Sequence, residues 1–399
     1  MLKSGLLFYV AVLFTILSSC EDGEVYMLEV TNELDIDRRE SLEIPKSDFG
    51  NILCENFSKF AIRDEVSGDL LPLQFVDEDL DGELDYLVFQ PTLAAGETRE
   101  YKIFTPENGI QFAVPENRTF SRFVPERTDD YAWENDRVAF RTYGPEAQRM
   151  IEENIPGGTL SSGIDCWLKR VNYPIIDRWY KKELEEDGSY HEDTGEGLDD
   201  FHVGPSRGCG GTGVWDAEQQ ILHTSKNFTD WRTVTEGPLR TLFELDYAPW
   251  KYPGGMVAEK KTISLDMGSN MMRIELRFDP DNTPETISAG ITLHEKDGSI
   301  LVDERSGWFS YWQPHADSKL GMGIVVEAEF LEGYTEHFVE EKDQSHLLVQ
   351  MKPIANSVVY YAGFGWSKSG LFKTQKEWVA YLADFGRGLE SGLKYNISK

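Results

Sequence analysis

The sequence predicts a mainly β protein, a large antiparallel sandwich with few helices. Short segments rich in Val, Ile, Phe and Tyr are bounded by Gly, Pro, Asn or Asp, which is typical of β-strands. Residues 271–278 end in a strict alternation of apolar and charged side chains, as in an antiparallel sheet with one solvent-exposed face. Because helix signals are sparse by comparison, the many strands favour a sandwich.

Length and charge limit what the chain can do. It has 399 residues, and 70 Asp and Glu against 39 Lys and Arg give a net charge of −31. A chain of this length can bury a substantial core. An acidic protein repels phosphate backbones, which excludes nucleic acid as a partner. An anionic substrate would require a local basic pocket.

The first 24 residues predict export rather than folded structure. Residues 5–17 form an apolar run that is too short to span a bilayer and is typical of a signal peptide. The sequence LSSC at 17–20 is typical of a bacterial lipobox, in which Cys20 would be lipidated. We predict a signal peptide over 1–19, an acidic tether over 20–24 and an exported lipoprotein in the outer membrane or periplasm, or at the cell surface. An ordinary signal peptide, cleaved at the same place, is the alternative.

A single all-β domain is predicted over residues 25–399, because no linker-like boundary interrupts the mature chain. The best helix prediction is 374–385, where Thr374 is a candidate N-cap and three large apolar residues share one face. The predicted strands are 25–30, 86–90, 101–104, 137–143, 239–247, 256–265, 271–278, 299–303, 323–329, 346–351 and 357–364.

No cofactor is expected, because the chain lacks the recognised phosphate-loop and paired-histidine metal motifs. The candidate metal site is a structural calcium loop, in which Asp77, Asp79 and Asp81 precede Gly82. The bidentate glutamate of an EF-hand is missing, since Val88 stands at its position. A solvated Asp-Gly turn between two strands explains the same residues and is favoured.

A basic stretch at residues 167–182 stands out in this acidic chain. It contains five Lys or Arg, one Asp and interleaved aromatic residues. Lys169 and Arg170 are candidates to bind an anionic sugar, and Trp179 is a candidate to stack on a sugar ring. A solvated basic face that pairs with the acidic residues of 183–200 is the alternative.

The glycine-rich segment, residues 190–216, follows the basic stretch. Glycine at this density has an entropic cost on folding, which the close approach of backbone to a ligand would explain. His191 and His202 can exchange protons near neutral pH. Arg207 can bind a carboxylate or sulfate through paired N–H groups. A structural role for each histidine is the alternative.

A second aromatic segment lies at residues 308–317. Three bulky aromatic residues beside a histidine make Trp312 a candidate wall of a sugar cleft and His315 a further proton carrier. Core packing around a hydrogen-bonded histidine explains these residues equally well.

The chain resembles a family of exported proteins from polysaccharide-utilisation loci that is described as a domain of unknown function. The resemblance rests on the lipobox, the Asp-rich loop, YGPE at 143–146, GIDCWLKR at 163–170 and, above all, residues 190–215. Described members are similar to oligosaccharide dehydratases that act on unsaturated uronyl ends of algal ulvan fragments. The resemblance implies a galactose-mutarotase-like β-supersandwich and a lyase that acts on an anionic oligosaccharide.

Dehydration needs a base for a C–H proton, an acid for the departing hydroxyl and a cation for charge on the carboxylate. The residues assigned to these roles are His202 with His315, or Tyr190 with His191, as acid and base, and Arg207 with Lys169 on the uronate.

Two other functions are compatible with the sequence. An aldose 1-epimerase would use a histidine acid and a carboxylate base on the same fold. A non-catalytic surface glycan-binding lipoprotein would use the aromatic residues alone. Pure binding has no need for proton carriers, so the histidines and Arg207 favour an enzyme.

Overall fold

Antiparallel strands dominate the computed structural model, which describes residues 25–52, 54–106 and 118–399. The predicted fold class, a mainly β antiparallel supersandwich with few helices, is confirmed. The predicted signal peptide, the tether and Cys20 lie outside the described residues. Within the described residues, no helix has the length and apolar character needed to cross a bilayer.

The N-terminal strands form three small sheets. Their strand orders are β30-β1-β9-β4-β5, β3-β7-β6 and β2-β8, where β30 is the last strand of the chain (Lys394–Ser398). They share an aromatic-rich hydrophobic cluster, in which Tyr26 and Phe49 meet edge to face with ring centroids 5.1 Å apart. The elements are β1 Val25–Thr31, β2 Arg38–Arg39, β3 Leu42–Pro45, α1 Cys54–Phe57, β4 Ala61–Asp64, β5 Leu70–Leu71, β6 Gln74–Val76, β7 Tyr86–Phe89, β8 Thr92–Leu93 and β9 Thr98–Phe104.

A five-stranded antiparallel sheet follows, and its strands are in sequence order. Its central strands are fully buried, and two helices lie in its connections. Helix α3 contains the second half of the basic stretch, and in it Trp179 and Tyr180 turn inward while the helix's own basic side chains face outward. The elements are β10 Phe120–Val124, β11 Asp130–Glu134, β12 Ala139–Thr142, α2 Pro145–Glu152, β13 Asp165–Lys169, α3 Ile176–Leu184 and β14 Gly197–Leu198.

An eight-stranded and a five-stranded sheet complete the sandwich. Their orders are β17-β18-β21-β22-β29-β26-β25-β24 and β16-β15-β23-β28-β27, and both contribute to the largest hydrophobic cluster. The strands are β15 Cys209–Asp216, β16 Ile221–His223, β17 Phe228–Thr235, β18 Arg240–Tyr247, β21 Glu259–Asp266, β22 Met271–Phe278, β23 Ile287–Thr292, β24 Ser299–Asp303, β25 Trp308–His315, β26 Ser318–Val326, β27 Leu331–His337, β28 His346–Met351 and β29 Ser357–Trp366. Strands β19 Trp250–Tyr252 and β20 Gly255–Val257 form a separate two-stranded sheet.

Helix α4, Gln375–Glu390, covers one face of the eight-stranded sheet and confirms the helix prediction. Thr374 accepts a hydrogen bond from the amide of Glu377, and the Glu377 carboxylate accepts one from the amide of Thr374, which forms a capping box. Trp378 is buried against the sheet, and its indole N–H donates to the backbone oxygen of Met322 at 3.2 Å. The helix runs five residues beyond the predicted end at 385.

Candidate functional site

A cavity of about 550 Å³, here called the acid–base cavity, lies beside strands β12 and β13 and the glycine-rich segment. Its volume is within the range of roughly 300–1,000 Å³ that small-molecule sites occupy. The polar side chains that line it include Arg141, Tyr143, Asp165, His191 and His202. It therefore brings together two of the predicted proton carriers, both from the glycine-rich segment.

Arg141 is buried at the wall of this cavity and contacts three aspartates. The register of β12 and β13 places it opposite Asp165, whose Oδ2 accepts from Nε at 3.0 Å and from Nη2 at 2.6 Å. Nη2 also donates to Oδ2 of Asp199 at 2.7 Å, and Nη1 lies 3.6 Å from Oδ2 of Asp130. The Tyr143 hydroxyl donates to the same Asp165 oxygen at 3.2 Å. Three buried carboxyl groups thus share one guanidinium.

This excess of acidic groups leads to protonation of Asp199. Burial, together with the charge of Asp165, raises the pKa of Asp199 to about 8, and burial raises the pKa of Asp130 to about 6. The raised pKa favours the protonated form of Asp199 near neutral pH. Oδ1 of Asp165 is buried without a hydrogen-bond partner among the described residues. A proton donor and a hydrogen-bond acceptor consequently lie together in the cavity wall.

The raised pKa of Asp199 predicts that stability falls as pH rises. The folded protein keeps this proton up to about pH 8, whereas the unfolded chain has lost it above about pH 4. The folded state therefore binds more protons in this window, and its free energy of unfolding decreases with pH by about 1 kcal/mol per pH unit. We expect Asp199→Asn to remove this part of the slope in urea unfolding at pH 6, 7 and 8.

Asp187→Asn is the matched control, because Asp187 is exposed and precedes the glycine-rich segment. Its slope should equal that of the wild type. Equal slopes for Asp199→Asn and the wild type would show that Asp199 is ionised in the folded protein.

In both His191 and His202, the ring nitrogen Nδ1 forms a hydrogen bond with an oxygen atom of the protein. Nδ1 of His191 lies 2.6 Å from the backbone oxygen of Asp199, and Nδ1 of His202 lies 2.7 Å from Oδ2 of Asp343. Because these oxygens accept, Nδ1 carries the proton in each neutral ring and Nε2 carries the lone pair. The side chains are 58% and 61% exposed. Both histidines therefore have the geometry of a general base.

Gly204 leaves room for the His202–Asp343 pair. It has φ of +50°, which disfavours other residues, and a Cβ there would come 3.0 Å from Cε1 of His202 and 3.8 Å from Oδ2 of Asp343. Part of the glycine content of this segment thus serves the site.

His294 positions the backbone of His202. Its Nε2 donates to the backbone oxygen of His202 at 3.0 Å, and Nε2 of Gln313 donates to its Nδ1 at 3.1 Å. Burial lowers the pKa of His294, which favours this neutral form. No role for His294 is predicted from the sequence.

His315 does not line the acid–base cavity. Its Nε2 lies 3.3 Å from Oδ2 of Asp200, a residue that does line it, and burial lowers the pKa of His315. His202 lines the cavity and pairs with Asp343, whereas His315 pairs with Asp200.

Two predicted substrate-binding cations lie in the interior. Nζ of Lys169 contacts Oε2 of Glu134 at 2.6 Å and two backbone oxygens. The Arg207 guanidinium donates to Oγ of Ser162 at 2.9 Å and to two backbone oxygens, and burial lowers its pKa to about 10. This corrects the expectation that they bind a uronate, because neither head group reaches the surface.

Three other predicted contact residues lie away from the cavity. Arg170 pairs with Asp193 at 2.9 Å outside it. Trp179 is buried and stacks on Trp167 with ring centroids 5.2 Å apart. Trp312 is buried in the cluster beneath α4. The expectation that these tryptophans form sugar-binding walls is corrected, since their rings are part of the core.

Tyr190 is buried and forms a hydrogen bond with Arg141. Its hydroxyl oxygen accepts from Nη1 of Arg141 at 3.2 Å and from Nε of Arg127 at 3.4 Å. Its ring lies 4.6 Å from that of His191, edge to face. Tyr190 is therefore a positioning residue rather than the proton carrier expected from the sequence.

The Asp-rich loop connects the paired strands β6 and β7, as expected of a turn between strands. Carboxylate oxygens of Asp77, Asp79 and Asp85 lie within 4.8 Å of one another, a set of ligands that suits calcium. The group contains Asp85 in place of the predicted Asp81, whose Oδ1 accepts the amide of Glu83 at 2.8 Å. The calcium assignment stays a prediction.

Sequence reasoning missed Arg141, Asp165 and Asp343 as site residues. Arg141 lies within the predicted strand 137–143, where a charged residue among buried ones was an available signal. Asp165 belongs to the motif GIDCWLKR, but nothing in the neighbouring sequence indicates that it pairs with Arg141. Asp343 lies 141 residues from His202, and no spacing rule connects them.

The fold and the cavity together describe a β-sandwich protein with a polar site equipped for acid–base chemistry. Residues 30–394 match the family model described as "Domain of unknown function (DUF4861)", and the chain belongs to this family. It is 44% identical over 400 residues to the uncharacterised protein P7 of Formosa agariphila, covering 99% of this chain and 100% of that protein. The expected membership of a family of unknown function is confirmed.

Two solved structures show distant similarity. A glycosyl hydrolase family 38 protein from Enterococcus faecalis has a TM-score of 0.47 and 8% identity, covering 94% of this chain and 47% of that one. An alpha-mannosidase from Enterococcus faecalis V583 has a TM-score of 0.43 and 8% identity, covering 94% and 46%. This chain spans about half the length of both.

Proposed function

We propose that the protein is a carbohydrate-active lyase that eliminates water from the unsaturated uronyl end of an anionic oligosaccharide. The observation that supports this most is the presence, in one cavity, of a buried carboxyl group with a raised pKa and of two histidines whose Nδ1 is held by an oxygen, which leaves the lone pair on Nε2. Dehydration needs one group of each kind.

In the proposed reaction, Nε2 of His202 removes a proton from a ring carbon, and the electron pair of that bond forms a carbon–carbon double bond. The adjacent carbon–oxygen bond breaks, and the departing hydroxyl takes the proton of Asp199 and leaves as water. Arg141, 2.7 Å from Asp199, stabilises the carboxylate that remains. Proton exchange with solvent then restores His202 and Asp199.

Incubation with lyase-generated unsaturated uronyl oligosaccharides tests this function. We expect the mass of the product to decrease by that of one water molecule. A panel of uronyl fragments whose mass and NMR spectra remain unchanged would contradict the proposal.

The same experiment separates the alternatives. An aldose 1-epimerase would change the anomer ratio without changing the mass. A glycan-binding protein would bind the oligosaccharide and leave both unchanged. The raised pKa of Asp199 beside His191 favours an enzyme, since binding alone does not need a proton donor.

A further inference from the structure

A second cavity, of about 540 Å³, opens between residues 36–43 of the N-terminal part and the face of the eight-stranded sheet beside α4. We call it the arginine groove. It is distinct from the acid–base cavity, with which it shares no lining residue. Five arginines line it in a protein whose net charge is −31, and they are Arg38, Arg39, Arg137, Arg240 and Arg273.

Two of these arginines form hydrogen bonds and ion pairs with other residues of the chain. Arg38 donates to the backbone oxygens of Ser391 at 2.7 Å and Gly388 at 3.1 Å, which satisfies carbonyls at the end of α4. Arg240 pairs with Asp266 and with Glu43. These contacts join the N-terminal part to the sandwich and fix the shape of the groove.

Arg39 and Arg137 have no carboxylate within 4.0 Å among the described residues. Arg39 is exposed, and Arg137 is half-buried with Nη1 donating to Oδ1 of Asn270 at 3.3 Å. Of the acidic groups in the wall, Asp37 accepts the amide of Ala95 at 3.0 Å. Two guanidinium groups thus keep most of their donors available for a ligand.

Arg273 and Asp384 complete the charged wall. Arg273 shares Glu275 with Arg277, at 3.0 Å and 2.6 Å. Asp384 lies 3.6 Å from Arg387. Of the five acidic residues in the wall, Glu40, Glu43, Asp266 and Asp384 each have an arginine beside them. Asp37 has no cation within 4.0 Å among the described residues.

Aromatic side chains form the remaining wall. Tyr361 stands opposite Arg273 in the register of β22 and β29, and its ring centroid lies 5.1 Å from that of Phe385. Tyr381 lies beside Phe385, at 6.1 Å. Aromatic rings pack against the C–H faces of sugars, and guanidinium groups bind carboxylates and sulfates through paired N–H donors.

We propose that the arginine groove binds a sugar ring that carries an oxyanion, either a carboxylate or a sulfate. Arg39 and Arg137 bind the oxyanion, and Tyr361 and Phe385 contact the ring. This inference goes beyond the proposed function, because it concerns a second site and its test measures binding rather than turnover.

Isothermal titration of the full chain with three oligosaccharides of equal length tests the groove. One carries sulfate and no uronate, one carries uronate and no sulfate, and one is uncharged. We expect a charged oligosaccharide to bind at least about tenfold more tightly than the uncharged one, and Arg39→Gln with Arg137→Gln to remove about tenfold per arginine. Raised salt should weaken binding. Arg305→Gln, an exposed arginine outside the groove, is the matched control.

The outcomes identify the ligand or overturn the proposal. Preference for sulfate or for uronate identifies the oxyanion. The sulfated oligosaccharide without uronate is not a substrate of the reaction proposed for the acid–base cavity, so its binding tests the groove independently of that function. Equal affinity of the double variant and the wild type, equal affinity for the uncharged sugar, or no binding would overturn it. If the double variant unfolds, Arg39→Gln alone decides, because Arg39 is exposed.

Discussion

Replacing Arg141 with methionine is expected to destabilise the fold by about 3–5 kcal/mol, because it leaves the buried carboxylate of Asp165 without its cation and the buried Asp199 without its hydrogen-bond donor. Asp165 and Asp199 lie 2.6 and 2.7 Å from its Nη2, and all three groups are buried. Urea unfolding at pH 7 measures the effect. Adding Asp165→Asn to the variant should restore part of the loss, since it removes one buried charge.

Arg149→Met is the matched control. Arg149 is exposed on α2 and pairs with Glu146 and Glu153. Exposed ion pairs contribute about 0–1 kcal/mol, so its stability should be close to that of the wild type. If both variants unfold at the same urea concentration, Arg141 does not organise the interior as its contacts indicate.

Replacing His202 with alanine is expected to lower kcat/KM on unsaturated uronyl oligosaccharides by about 10²–10⁴-fold, because the proposed base is lost. The side chain is 61% exposed, so the fold should be retained. Asp343→Asn should cause a smaller loss together with an altered pH profile, since Asp343 fixes the ring of His202 at 2.7 Å. Steady-state kinetics across pH measure both effects.

His223→Ala is the control for this comparison, because His223 lies in β16 outside the acid–base cavity. It should retain wild-type kcat/KM. Full turnover by His202→Ala would show that this residue is not the base. The lyase proposal itself would still stand if the wild type releases one water molecule from the oligosaccharide.

The sequence allowed prediction of the fold class better than of the site. Strand composition and the capping residue Thr374 are local signals, and the structure confirms both. The basic stretch looked like a ligand surface, but Lys169 pairs with Glu134, 35 residues away. The composition of residues 167–182 shows an excess of basic side chains, but it does not show that a carboxylate distant in the sequence pairs with Lys169.

The glycine-rich segment was recognisable in the sequence, and part of it lines the acid–base cavity. Glycine density and nearby histidines are visible in the sequence, and His191 and His202 do line one cavity. The contacts that complete the site depend on tertiary structure. Asp343, the partner of His202, is 141 residues away in the chain, and Asp199 accepts a hydrogen bond from Arg141 of β12. Arg141 therefore became recognisable only when the register of β12 and β13 was known.

The pairing of the first and last strands determines when folding can finish. Met27 of β1 stands opposite Ser398 of β30, so this sheet joins residues from the two ends of the described chain. Contacts so distant in sequence raise the contact order and slow folding. During synthesis, β1 keeps an unpaired edge until residues 394–398 have emerged, and such edges promote association between chains. The N-terminal sheet, although synthesised first, is therefore completed last.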